Sequence, residues 1–436
     1  MIEEKGAEIP SEYAWSVLKE KSGVDLTDHY MATLRGLGKQ PNMLGDIYGG
    51  AMSRFSNPVN LKRLVNLIDE IEWTALKVDV KAAAYEGLLE KSASEGKKGA
   101  GQYFTPRILI QSIVRCMQPD PRKSKDFTIH DPAAGTGGFL VCAYEWLMKK
   151  AKGALERSDA KRILTSTYSG TELVPRPRRL ALMNLYLHGI EANIYLGDAI
   201  YEPKKGGPYE CIMTNPPFGT KGANQAPTRD DFTIATSNKQ LNFVQHVRTM
   251  LKTTGQAAVV VPDNVLFEGG AGETVRRKLL QNTDLHTILR LPTGIFYAQG
   301  VKANVIFFEN KPASKYPWTK DVWFYDFRTN IHFTKKKNQM TYDDLKDFIT
   351  CYKPENPHKR KETWSEDNPD GRWRKFTYEE IMARDKTSLD IFWIRDESLA
   401  DLDNLPDPDV LAEEIIENLE AGVESFKQIM ESINGQ

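Results

Sequence analysis

The sequence predicts an α/β fold, a Rossmann-like core whose mostly parallel sheet of seven strands is covered by helices on both faces. Three observations predict it. Apolar runs of strand length recur between residues 127 and 310. Most are separated by stretches whose apolar residues return at helical spacing. The runs are continuously apolar, not alternating, as expected of strands buried on both faces.

The elements follow in order. Residues 1–80 lack β-branched runs and read as a small helical region, as in NLKRLVNLIDEIEW. The α/β core is placed at residues 81–315. It starts with a helix (KAAAYEGLLEKSA), a Gly-rich turn (EGKKGAGQYFTP) and a helix opened by Pro106 (PRILIQSIVRCMQ). The strands FTIHD, YSGTEL, ANIYLGD, YECIMTN, GQAAVVVP, LHTILRLP and ANVIFFEN come next. Amphipathic helices such as GGFLVCAYEWLMKKA, PRRLALMNLYLHG and NKQLNFVQHVRTMLK lie between most of them. Residues 316–400 form a mixed basic and aromatic extension, with one further strand (VWFYDF). Residues 401–436 end the chain in a helix where Ala412, Ile416, Leu419, Val423, Phe426, Met430 and Ile433 recur at alternating steps of four and three. That is a heptad seam, which packs on its own domain or docks a partner subunit.

Composition removes several classes of function. The chain has 436 residues, 40% hydrophobic and 27% charged, which excludes wholesale disorder and fibrous repeats. Its 58 basic and 59 acidic residues leave a net charge of −1, so contact with nucleic acid must rest on local basic patches. With no run of about 18 apolar residues and no leader pattern, a cytoplasmic protein is expected. Cys116, Cys142, Cys211 and Cys351 are widely spaced without a Cys-x-x-Cys, so neither a zinc site nor a disulfide framework is indicated.

The candidate functional residues gather at strand ends. Asp131-Pro132-Ala133-Ala134-Gly135-Thr136-Gly137-Gly138 lies between a strand and a helix, where small residues let the backbone turn and approach a ligand. It contains neither the G-x-G-x-x-G of dinucleotide folds nor the Gly-Lys-Ser/Thr of a P-loop. Glu172, at the tip of the next strand, is placed to accept two ribose hydroxyl hydrogens. It lies well past the spacing of about 20 residues for a dinucleotide fold, so a nucleoside cofactor without pyrophosphate fits better. Asp198 ends the third strand and can receive an exocyclic amine, although alone it reads as a turn aspartate. Asn215-Pro216-Pro217-Phe218 follows YECIMT. Two prolines stiffen the segment and keep its carbonyls out of the ladder, so an amide side chain and a backbone carbonyl can both accept from one –NH2, beside a ring able to stack a flat base. Such a base has to leave the duplex to reach the site.

Together these motifs resemble S-adenosylmethionine-dependent amino-group methyltransferases. Gly101-Gln102-Tyr103-Phe104-Thr105-Pro106-Arg107 is similar to the extra cofactor segment of N6-adenine DNA methyltransferases. Further stretches (ELVP, TSNKQLNFVQH, VVVPDNVLFEGG and LRLPTGIFYAQGVKANV) resemble the modification subunit of type I restriction–modification systems. The resemblance implies that Gln102, Tyr103, Phe104, Thr105, Pro106, Arg107, Asp131, Gly135, Thr136, Gly137 and Gly138 line the cofactor. It implies that Glu172 holds the ribose and Asp198 the cofactor adenine. Asn215 and the Pro216 carbonyl would clamp the target N6 amine, with Pro217 stiffening the turn and Phe218 stacked on the flipped adenine. It further implies double-stranded DNA as substrate, a specificity subunit flanked by two copies of this chain, and a restriction subunit. Relatives carry a longer helical region before the first motif.

The implied chemistry is direct displacement by the amine. It needs positioning and electrostatic stabilisation but no covalent enzyme intermediate and no metal. The absence of Pro-Cys argues against C5 methylation of cytosine. The open alternatives are N4-cytosine, RNA-adenine or protein-glutamine methylation, or a catalytically silent cofactor-binding scaffold. Lys335-Lys336-Lys337, Lys359-Arg360-Lys361 and Arg372-Trp373-Arg374-Lys375 read equally as phosphate contacts and as solvated loop charges.

Overall fold

A computed structural model describes residues 9–73, 105–218, 225–296, 302–331 and 338–396, with positions 84, 85, 87, 88, 333, 412, 416, 419 and 423. The chain divides into two compact units, one from residues 1–96 and 121–198, the other from residues 97–120 and 199–436.

The first unit starts with helices Trp15–Glu20, Gly23–Leu37, Met43–Tyr48 and Pro58–Asp69. The last of these has proline at its first position, and the Asn57 side chain accepts from the Val59 N–H at 2.8 Å, satisfying a donor that the helix leaves over. Leu18, Leu26, Leu61 and Val65 form a small buried cluster among these helices. Strands β1 (Ile129–Asp131), β2 (Tyr168–Glu172) and β3 (Asn193–Leu196) follow, in the order β3-β2-β1 and all parallel. Helix Gly138–Lys150 follows β1, and helix Pro175–Leu187 connects β2 to β3. The register sets Asp131 beside Gly170 and Glu172 beside Leu196, bringing the three strands' carboxyl ends to one edge.

The second unit holds helix Arg107–Met117 and six strands. They are β4 (Tyr209–Thr214), β5 (Leu251–Pro262), β6 (Thr283–Arg290), β7 (Ala303–Asn310), β8 (Asp321–Asp326) and β9 (Trp373–Thr377), in the order β4-β5-β7-β6-β8-β9. All seven strands expected in the core are present, within a residue or two at most ends. The seven are mostly parallel, as expected, and two details of the sheet differ from the expectation. The segment after β6 is too short for a covering helix, so β7 reverses and pairs antiparallel with both β5 and β6. The 316–400 stretch adds β8, parallel to β6, and β9, antiparallel to β8. The described residues therefore hold nine strands in a mixed arrangement.

The 316–400 stretch is fastened to this unit by three arginines, of which Arg276 and Arg290 are buried. Arg276, 1% exposed, donates to the carbonyls of Thr387 (3.1 Å), Val265 (3.0 Å), Glu268 (2.7 Å) and Lys386 (2.6 Å). Arg290 pairs with Asp390 at 2.7 Å and donates to the Ile391 carbonyl. Arg328 grips Asp263 through both guanidinium nitrogens at 2.7 and 2.8 Å. All three guanidinium nitrogens of Arg276 donate, the condition under which burial of a charge is tolerated, whereas Arg290 Nε is buried without a partner among the described residues. Among the described residues no helix is long and apolar enough to cross a membrane.

Candidate active site

In the first unit, Asp131 closes β1 and is 1% exposed, its Oδ1 accepting the Ala133 N–H at 3.0 Å. This Asx turn bends the chain into the loop. Gly135 (φ 54°) and Gly137 (φ 80°) then take left-handed conformations that disfavour a side chain, and Gly137 caps helix Gly138–Lys150. The Gly135 N–H donates to Glu172 Oε2 and the Val174 N–H to Oε1, both at 2.9 Å. Ala134 N–H reaches the Thr171 carbonyl at 2.9 Å, and Asn184 Nδ2 donates to the Thr136 carbonyl at 3.2 Å. Burial pushes the Glu172 carboxyl above the usual range, while the N–H groups of Val174, Gly135 and Leu173 pull it back. Each of its oxygens keeps a lone pair for a further donor. The loop lies against β2 so closely that a Cβ on Gly170 would sit 2.9 Å from Ala134 Cβ and 3.0 Å from the Asp131 carbonyl.

Asn184 and Gly170 are absent from the sequence-level assignment. The only signal for Asn184 is a single amide, 2% exposed, within an otherwise apolar helix face. Asp198 stands two residues beyond β3 and is half-buried.

In the second unit, β4 is buried along nearly its whole length, Thr214 included at 0%. It delivers Asn215 at its end. Asn215 Nδ2 donates to Thr105 Oγ1 at 2.8 Å. Its Oδ1 is buried and has no hydrogen-bond partner among the described residues. No backbone N–H among them claims the Pro216 carbonyl. An unmet buried acceptor costs about 1–3 kcal/mol, so its persistence marks a place where a donor belongs. Phe218 is 7% exposed and meets Phe296 edge to face, centroids 5.8 Å apart.

Thr105, Pro106 and Arg107 open helix Arg107–Met117, while Gln102, Tyr103 and Phe104 lie outside the described residues. The structure thus joins one residue of the expected cofactor segment, Thr105, to the expected amine clamp. Of the basic patches, Lys335–Lys337 lie outside the described residues. Arg360 donates to the Tyr352 carbonyl at 2.6 Å, Arg372 to the Asp326 carbonyl at 2.8 Å, and Arg374 covers Trp364 at 3.5 Å. Lys359 and Lys361 are exposed.

Residues 76–390 match the family model described as N-6 DNA Methylase. The chain is 39% identical to the type I restriction enzyme StySJI methylase subunit of Salmonella typhimurium, over 99% of this chain and 89% of that protein. It is equally identical, with the same coverage, to the EcoKI methylase subunit of Escherichia coli K12. Among solved structures it resembles the EcoKI M protein (TM-score 0.60, 34% identity, 99% and 89% of the two chains). A chain from a structure of type I R-M system assembly matches with TM-score 0.71 and 25% identity, over 98% and 88%.

Proposed function

Because the chain belongs to the N-6 DNA methylase family, and within it to the methylase subunits of type I restriction enzymes, we propose that it transfers a methyl group from S-adenosylmethionine to the N6 amine of a flipped adenine in DNA. The observation that carries this reading is the buried, unpartnered Oδ1 of Asn215 at the end of β4. An adenine amine brings two N–H donors. Asn215 Oδ1 and the Pro216 carbonyl are two acceptors held by a proline-stiffened turn. Engaging both hydrogens favours a more tetrahedral nitrogen, whose lone pair is then available for attack.

S-adenosylmethionine supplies the electrophilic methyl group. The residues present fit it: Glu172 offers two lone pairs toward a ribose, and Gly135 and Gly137 hold a loop without side chains to block it. Asp131, Thr136 and Gly138 complete that loop, and Asp198 is assigned to the cofactor adenine. Gln102 to Arg107, with that loop, are assigned to its methionine and ribose parts, and Phe218 to stacking on the target base.

The chain acts as the modification subunit, two copies flanking one DNA-specificity subunit, with a restriction subunit joining the assembly in the cytoplasm. The docking element is the C-terminal heptad helix. Its described positions Ala412, Ile416, Leu419 and Val423 are helical and exposed, the last three at 53–63%, while Phe426, Met430 and Ile433 lie outside the described residues. Lys359 and Lys361 are candidate phosphate contacts.

The test is to produce the chain with its specificity subunit, incubate the complex with labelled S-adenosylmethionine and DNA, and identify the labelled nucleoside. N6-methyladenine supports the reading. N4-methylcytosine, or cofactor binding without transfer to any DNA, overturns it.

A further inference from the structure

We propose that Thr105 is a positioning residue for the methyl transfer: its hydroxyl, accepting from Asn215 Nδ2, holds the amide in place at the clamp with Oδ1 left for the target amine. This rests on the reading of Asn215 as the amine clamp.

The two ends of a carboxamide are almost equal in size and opposite in hydrogen bonding. Turned one way, Asn215 presents an acceptor to the adenine N6–H. Turned the other way it presents two N–H groups, which repel that amine and leave it one acceptor short. Nothing in the Asn-Pro-Pro-Phe segment alone chooses between the two. In this structure the 2.8 Å contact with Thr105 occupies the nitrogen end and leaves Oδ1 without a partner among the described residues; because a hydroxyl donates as well as accepts, the contact fixes the place of the amide and not by itself its turn.

Both sides of the contact stand on rigid supports. Thr105 precedes Pro106 (φ −53°), which restricts its backbone to extended conformations. It leads into helix Arg107–Met117, anchored by Leu109 and Ile113 at 0% exposure. Asn215 leaves a strand whose Cys211, Ile212, Met213 and Thr214 are all fully buried, and two prolines follow it. The contact spans 110 residues of sequence. It gives Thr105 a role distinct from lining the cofactor.

The experiment compares Thr105→Val, which keeps the shape and removes the acceptor, Thr105→Ala, and Thr105→Ser, which restores the hydroxyl, each in the complex with the specificity subunit. Two quantities are read: the single-turnover methylation rate and the S-adenosylmethionine Kd. Thr105→Val and Thr105→Ala should slow methylation about tenfold, the effect of one lost hydrogen bond, with the cofactor Kd changed less than about twofold. Thr105→Ser should recover the rate. An unchanged rate in both Val and Ala variants overturns the inference, as does a loss confined to cofactor affinity. A wild-type complex that makes no N6-methyladenine instead defeats the amine-clamp reading itself. A wild type that does, beside an unaffected Thr105→Val, defeats only the role of Thr105.

Discussion

The backbone N–H of Gly135 donates to Glu172 Oε2 at 2.9 Å, tying the loop after β1 to the tip of β2. The same carboxylate holds the Val174 N–H through its other oxygen, so one buried side chain shapes both turns. Glu172→Gln keeps one acceptor and replaces the other with a donor facing a donor. Calorimetric titration with S-adenosylmethionine should show affinity reduced about ten- to a hundredfold, the range for a hydrogen bond to a charged group. Unchanged affinity would remove Glu172 from the cofactor site.

Gly170 has no room for a side chain. A Cβ there meets Ala134 Cβ at 2.9 Å and the Asp131 carbonyl at 3.0 Å, both part of the loop. Gly170→Ala should destabilise the protein by about 1–3 kcal/mol, the usual cost of overpacking. Chemical denaturation of the variant, with and without cofactor, checks this, and wild-type stability would contradict it.

His246 gives stability an acid limit. It is 2% exposed, and burial first, then the Arg229 and Lys204 charges, push its pKa down to about 3 from an ordinary 6.5. The native state therefore stays unprotonated at this ring where the unfolded chain takes up a proton. Its contribution is complete above pH 6.5 and is lost as pH falls from there toward about 3, at about 1.4 kcal/mol per pH unit. Urea denaturation midpoints measured from pH 8 to pH 5 should be lower by pH 5 for the wild type, and His246→Gln should show a shallower decline. Equal pH slopes for the two would contradict the assignment.

The exposed heptad positions predict a separable assembly function. Removing residues 409–436 should abolish co-purification with the specificity subunit while leaving S-adenosylmethionine binding intact. Retained complex formation would exclude this helix as the docking element.

Much of this was legible in the sequence, for a physical reason. Buried strands such as ANVIFFEN announce themselves by unbroken apolarity, and ligand-facing residues of an α/β sheet gather at strand ends, where Asp131, Glu172 and Asn215 were found. Strand direction was not legible, because β7 is apolar on both faces whichever way it runs. The edge strand WRKFT was hidden by its charges, which sit beside aromatic rings, Arg374 over Trp364 and Lys375 over Trp323. Residues that act through a partner distant in sequence stayed invisible too. Thr105 and Asn215, or Asn184 and the loop at Thr136, meet only in the folded chain.

The central claim is that Asn215 Oδ1 receives the amine. Its most direct test is the single-turnover methylation rate of Asn215→Ala in the assembled complex, measured beside its affinity for S-adenosylmethionine. The account predicts a rate loss of about a hundredfold or more with cofactor affinity unchanged. A variant that methylates adenine at the wild-type rate would contradict it.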